Sequence, residues 1–196
     1  MSRASILSSL RLAQGAPLPS PDAAVVALKD LPNTAGLPDF IATLELIGAR
    51  TVRGHNLTEA ATWLRENIPS DAEIASHIKE LPGTVDLSKV TDPHTLDGVH
   101  TAVFRARFGV CENGAVWLDE TELGPHRVLP FIAEHLFIVM RAGDLVPTLH
   151  QAYERIATLG TGFGLFLAGP SKTADIEQCL VIGAHGARGA TVFIID

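Results

Sequence analysis

Three uninterrupted apolar runs dominate the second half of the chain: HLFIVM at 135–140, GFGLFLAG at 162–169 and ATVFIID at 190–196. A strand with one face in water alternates apolar and polar residues. A continuous apolar run of strand length requires a sheet covered on both faces, the condition met in parallel α/β folds. Between the first two runs lies DLVPTLHQAYERIATLG, at 144–160. This reads as a helix starting near Asp144, with Pro147 in its first turn and Gly160 past its end. Between the second and third lies TADIEQCLVIG, which reads as a short helix with Ile176, Leu180 and Val181 on one face and Gly183 at its cap. The order is β-α-β-α-β, so the chain is expected to form a mostly parallel sheet with right-handed crossovers.

The middle of the chain adds antiparallel character. In TAVFRARFGVCENGAVWLDE, two β-favouring runs flank Asn113 and Gly114, a pair suited to the positive φ values of a tight hairpin. The sheet is therefore expected to be mixed. Upstream, LPDFIATLELIGAR and TEAATWLRENI carry apolar residues at helical spacing, with Gly48 closing the first and Asn56 or Thr58 capping the second. Short strands are expected near 51–52 and 73–76. Residues 1–36 read as an N-terminal helix, with Ile6, Leu7 and Leu10 on one face, followed by the Pro-rich arm GAPLPSPD. The expected organisation is this arm and a single α/β domain over 37–196.

Length and charge exclude several classes. At 196 residues the chain can bury a core without disulfide or metal staples. A net charge of −7 without a Lys/Arg run argues against nucleic acid and against an anionic membrane surface. No segment approaches the roughly 20 apolar residues of a membrane span. The first fifteen residues lack a signal-peptide core, so a cytoplasmic protein is expected. Cys111 and Cys179 are far apart and are too few for an iron–sulfur cluster, which takes about four thiolates.

Chemistry-bearing residues concentrate in GPSKTADIEQCLVIGAHGARG, at 169–189. On the β-α-β reading, Ser171, Lys172 and Thr173 stand at the carboxyl end of a strand and the amino end of a helix. Free N–H groups and the helix dipole attract anions there. Asp175 in the first turn suits that dipole with or without a function. The turn at 183–189 brings His185, a residue type that exchanges protons near neutral pH, and Arg188, suited to clamping a carboxylate or phosphate. A plain structural role competes for each of them: helix capping for Ser171 or Thr173, turn formation for the glycines, solvation for Arg188. A full helical crossover would also put the two turns on opposite sheet edges, although the helix is short for one. Elsewhere, Glu112 is either a hairpin flank or a carboxylate base. The eight histidines contain no H-E-x-x-H pair, so no metal site is expected; His94 and His100 with Asp92 and Asp97 read as a polar turn, His135 as an edge histidine, and Asp119, Glu120 and Glu122 as a solvated turn.

GPSKTADIE followed by GAHGARG resembles the C-terminal signature of the LUD-domain family, of the lactate utilization protein C and YkgG type. Ala187 departs from that family's proline. CENGAVWLDE, with Glu112 and Gly114, and PFIAEHLFIVMRAGDLVPTL are similar to it as well, and the likeness extends from about His100 to Asp196. The resemblance implies a three-layer α/β/α fold with a mostly parallel, mixed sheet, of the type of ribose-phosphate isomerases, glucosamine-phosphate deaminases and CoA transferases. It also implies a component of bacterial oxidation of L-lactate to pyruvate. Iron–sulfur clusters are then expected on partner subunits, with no cofactor in this chain. It transfers no agreed catalytic residues; Glu112 and His185 are the candidates, with Ser171, Lys172, Thr173, Asp175 and Arg188 for a small carboxylate or phosphate. The alternatives are an enzyme of the CoA transferase-like superfamily acting on an acyl or phosphorylated substrate, and a lactate-sensing regulatory module.

Overall fold

The computed structural model describes residues 3–13, 34–160, 162–173 and 180–196. The chain divides into two units, Met1–Pro32 and Asn33–Asp196. Of the first, helix α1 (Arg3–Ala13) is described, with Ile6, Leu7 and Leu10 exposed along it. The Pro-rich arm lies outside the described residues.

The second unit is built on a five-stranded sheet of β1 (Arg50–Gly54), β2 (Ile74–Ser76), β3 (Thr101–Arg105), β6 (His135–Arg141) and β11 (Gly189–Ile195). Its order is β1-β11-β6-β3-β2, and every pairing in it is parallel. The alternation of side chains along each strand explains the continuous apolar runs. Leu136, Ile138 and Met140 of β6 join Ala190, Val192 and Ile194 of β11 and Phe104 of β3 in one core. The intervening Phe137, Val139 and Phe193 with Val103 face a second core on the other side. Each fully buried side chain of this size contributes about 1.5–3 kcal/mol.

Different elements cover the two faces. Helix α3 (Leu57–Asn67) covers one, burying Ala60 and Leu64. Its N-cap is Asn56, whose side chain accepts the Glu59 N–H at 3.0 Å. The other face meets α2 (Leu37–Leu46) through Phe40 and Leu44, and short helices α4 (Glu120–Leu123) and α5 (Leu129–Ile132) through Leu123 and Leu129. It also meets a second sheet of β4 (Phe108–Val110), β5 (Ala115–Asp119), β7 (Leu145–Val146) and β8 (Gly164–Leu167), in the order β7-β4-β5-β8. Helix α6 (Leu149–Leu159) packs Ala152 against Phe108 and Trp117 on the outside of that sheet. The α/β class and the mostly parallel central sheet are as expected, and the antiparallel character is segregated into this second sheet.

Four local expectations change. GFGLFLAG forms β8, but it pairs antiparallel with β5 in the second sheet instead of joining the parallel one. Residues 145–146 are strand, and helix α6 begins only after Thr148, whose hydroxyl accepts the Gln151 N–H. The hairpin between β4 and β5 has a four-residue loop, 111–114, since Val110 pairs with Ala115. Gly114 adopts φ 67°, and a Cβ there would come within 3.0 Å of Ile47 Cδ1. The glycine lets the hairpin tip close onto α2.

The last correction concerns the segment after β8. Where a helix was expected, Lys172–Thr173 forms strand β9 and Val181–Ile182 forms β10, paired antiparallel with Thr173 opposite Val181. Residues 174–179, including Asp175, Glu177 and Cys179, lie outside the described residues. The described ends of this segment, Thr173 and Val181, therefore lie side by side and not at opposite sheet edges.

Candidate functional site

The parallel sheet presents two chemically different edges. At the carboxyl edge, β3 runs out through Arg105, Ala106 and Arg107, β6 through Met140 and Arg141, and β11 through Ile195. With Asn56 and Leu57 at the start of α3, and with Asp144 and Arg155, they line a cleft of about 610 Å³. This volume suits a small-molecule ligand. Open α/β sheets bind ligands at this edge, because the strand ends and helix amino termini converge there.

The cleft is rich in paired charge. Arg105 lies 3.6 Å from Glu80, and Arg155 lies 3.0 Å from Asp144. Arg107 reaches Asp119 at 3.3 Å and Glu122 at 3.8 Å. Asp119 is fully buried, and its Oδ1 caps α4 by accepting the Thr121 N–H at 3.0 Å and the Thr121 hydroxyl. The stretch expected to be a solvated acidic turn is therefore anchored in the core, because β5 carries Asp119 inward beneath Arg107. Burial raises the Glu122 carboxyl above its ordinary value, against the opposing pull of Arg105 and Arg107. A carboxyl held in that condition beside arginines in a cleft can exchange a proton with a bound anion. Arg141 is exposed and makes no ion pair among the described residues.

After β2, His77 stacks on His126 with ring centroids 5.4 Å apart. Burial and the neighbouring His126 lower the His77 pKa. His77 Nε2 and His126 Nδ1 are buried without a hydrogen-bond partner.

The amino edge holds the two turns singled out from the sequence, and it holds them together. The Ser171 N–H donates to the Ala187 carbonyl at 2.8 Å, and the Gly183 N–H donates to the Ser171 carbonyl at 2.9 Å. Ser171, His185 and Gly186 line a small cleft of about 220 Å³ with Leu136, Phe131 and Gly169. Ala187, where the family signature has proline, is buried in the main core. The Lys172 ammonium lies 3.4 Å from the Pro170 carbonyl, and desolvation lowers its pKa. The Arg188 N–H donates to the Glu134 carbonyl at 2.7 Å, tying the turn to the start of β6. Lys172 and Thr173 thus stand in a strand, beside the amino edge of the sheet and not at a helix amino terminus on the carboxyl edge.

Next to this turn, three residues converge. One ligand atom each from His100, Glu134 and His135 lies within 4.8 Å of the others. The two imidazole rings are 4.9 Å apart. His135 has a lowered pKa, through burial first and His100 second. His94 lies apart from this group as a turn residue, its Nδ1 2.7 Å from Asp92 Oδ1.

Glu112 belongs to neither edge. Its Oε2 accepts the Leu149 N–H at 2.8 Å, satisfying a free donor at the start of α6. Cys111 is buried, with its Sγ 3.5 Å from the Gly36 carbonyl; burial and then Asp39 raise its pKa, the opposite of a reactive thiol. Arg105, Arg107, Arg141 and Arg155 carry no short motif in the sequence, and Glu122, expected in a solvated turn, lines the cleft instead. One signal was present: Arg105 and Arg107, two apart on an extended chain, point to the same side.

Comparison with known proteins places these features in context. The "Lactate utilization protein C" of Bacillus pumilus is 30% identical over 95 residues, which are 45% of this chain and 39% of that protein. The "Uncharacterized protein YkgG" of Escherichia coli K12 is 33% identical over 101 residues, 48% of this chain and 43% of that one. The "Lactate utilization protein C" of Deinococcus radiodurans is 29% identical over 102 residues, 51% and 48% of the two chains. The chain thus matches less than half the length of these relatives. A crystal structure of a DUF162 family protein from Deinococcus radiodurans superposes with a TM-score of 0.63, covering 82% of this chain and 96% of that one at 17% identity, a likeness of fold. The profile of the LUD domain matches residues 59–195, more than half of the sequence and all of the central sheet after β1, and the chain belongs to that family.

Proposed function

We propose that this protein is a component of bacterial L-lactate utilization that binds a small organic anion and acts beside iron–sulfur partner proteins, carrying no cluster itself. The names of its Bacillus and Deinococcus relatives support the pathway. The observation that carries the anion is the arginine-lined cleft at the carboxyl edge, where Arg105, Arg107, Arg141 and Arg155 meet in about 610 Å³. Arg141 is the natural clamp, since it is exposed and its neighbours already hold carboxylates. Two cysteines cannot assemble a four-thiolate cluster, so electron transfer is assigned to partners.

A second reading, an enzyme of the CoA transferase-like kind, is favoured by the placement of Glu122, which lines the same cleft 3.8 Å from Arg107 and whose carboxyl is raised by burial. Ser171, Lys172, Thr173 and Arg188 remain the competing anion site at the other edge.

Calorimetric titration of the purified chain with L-lactate and pyruvate tests both placements. Binding weakened about tenfold by Arg141→Ala, the loss of one charge-assisted contact, and retained in Lys172→Ala and Arg188→Ala, supports the carboxyl-edge cleft. The reverse pattern moves the site to the motif turns. No heat with either acid, from a folded protein, refutes anion binding. Pull-down from a lactate-grown bacterium that recovers no cysteine-rich iron–sulfur protein refutes the complex.

A further inference from the structure

We propose that His100, Glu134 and His135 form a binding site for a divalent transition ion of the zinc(II) or iron(II) class, at the amino edge of the parallel sheet. Two imidazoles and one carboxylate are a donor set that such ions take, with positions left open for water or an exogenous ligand. The inference does not depend on the carboxyl-edge cleft or on the choice of anion.

The geometry is fixed by the sheet and not by flexible side chains alone. His100 immediately precedes β3, and Glu134 and His135 stand at the start of its neighbour β6, in a register that pairs Thr101 with His135. The His135 N–H donates to the His100 carbonyl at 2.8 Å, and the Glu134 N–H donates to the Val99 carbonyl at 3.2 Å. On the other side, the Arg188 N–H holds the Glu134 carbonyl at 2.7 Å. All three residues therefore have their backbones tied before any ion arrives, which lowers the ordering cost of binding.

Two further contacts look outward from the ligands. His100 Nδ1 lies 2.8 Å from the hydroxyl of Thr101, a buried residue. Donation of an Nδ1 proton to that oxygen leaves the Nε2 lone pair for a cation, the outer contact typical of metal-binding histidines. Across β11, a Cβ at Gly189 would fall 2.5 Å from His135 Nδ1. The last glycine of GAHGARG thus makes room for the His135 ring. The adjoining Arg188 disfavours a bare cation but favours an anion in the open coordination positions.

Cobalt(II) titration of the full chain, followed by its d–d absorption, is the test. The expected result is one cobalt ion per chain, displaced by zinc(II). His100→Ala and His135→Ala should each weaken it beyond the roughly 10–100-fold cost of losing an outer contact. His55→Ala and His94→Ala, at exposed histidines elsewhere, should leave it unchanged. Because an alanine at either site ligand risks misfolding, Glu134→Gln at an exposed position gives an independent reading and should weaken binding by about tenfold or more. Absence of cobalt binding by the wild-type chain would overturn the proposal. So would undiminished binding by Glu134→Gln, or by a His100→Ala/His135→Ala double variant whose circular dichroism is intact.

Discussion

The two edges of the central sheet are built from different materials. The carboxyl edge is a wide cleft of about 610 Å³ whose character comes from long charged side chains at strand ends: Arg105, Arg141 and, one residue past Ala106, Arg107. The amino edge is narrow, about 220 Å³ where the motif turns meet, and is organised by backbone hydrogen bonds from Ser171, Gly183 and Arg188. Its distinctive groups, His100, Glu134 and His135, are held by the register of two strands. Conspicuous short motifs and large clefts need not coincide. A motif is a local run of chain; a cleft at a parallel sheet's carboxyl edge collects residues from several strands.

The largest effect is expected at Arg107. Its removal leaves Asp119, a fully buried carboxylate, without its cation. Arg107→Ala is expected to cost about 3 kcal/mol, at the low end for a broken buried pair because the arginine itself is partly exposed. Urea denaturation measures it, and a loss below about 0.5 kcal/mol, the range of an ordinary surface change, would mean the carboxyl-edge charges are not a built network. At the other edge, Thr101→Val removes the hydroxyl that orients His100 and should lower cobalt affinity about tenfold, at the low end for an outer contact. Unchanged affinity would show that His100 does not use that contact.

Glu112 stands apart from both edges. Glu112→Ala should cost about 1 kcal/mol, the usual worth of a helix cap, and leave anion binding unchanged. Loss of binding without loss of stability would return Glu112 to the list of functional carboxylates.

The smallest effect concerns pH. The His77 pKa is lowered from 6.5 in the folded protein. Between the folded and unfolded values the unfolded chain binds more protons, so stability rises with pH across that window. It is lost as pH falls through 6.5 toward the folded value. In denaturation curves recorded across that range, His77→Gln should flatten the acid limb; an unaltered slope would assign the acid sensitivity to other groups.

Much of the fold was legible because it follows from local periodicity. HLFIVM and ATVFIID read as strands of a doubly covered sheet, and they are adjacent parallel strands, β6 and β11. Asn56 and Gly160 marked helix ends where helix ends occur. GFGLFLAG shows the limit of such reading. Its apolarity announced a strand buried on both faces, but β8 is half-buried throughout, with Leu165 and Leu167 packed on the central layer and Phe166 toward α6. TADIEQCLVIG carried a helical apolar spacing; residues 174–179 lie outside the described residues, and its described ends, Thr173 and Val181–Ile182, belong to the antiparallel pair of β9 and β10.

The α/β class, the parallel core strands and the family were legible in the chain alone, because all three reside in patterns within short windows. Tertiary structure decided which edge each group occupies. Strand order brought Arg105 and Arg141 into one cleft from distant positions, and the packing of α6 added Arg155. The return of the chain through β9 and β10 placed Ser171 against Ala187, so two turns that a helical crossover would have separated meet at the amino edge. Strand register, not spacing in the chain, brought His100 to His135. Pairing between strands is a long-range choice, set by how a whole sheet buries both its faces, and no local window contains it.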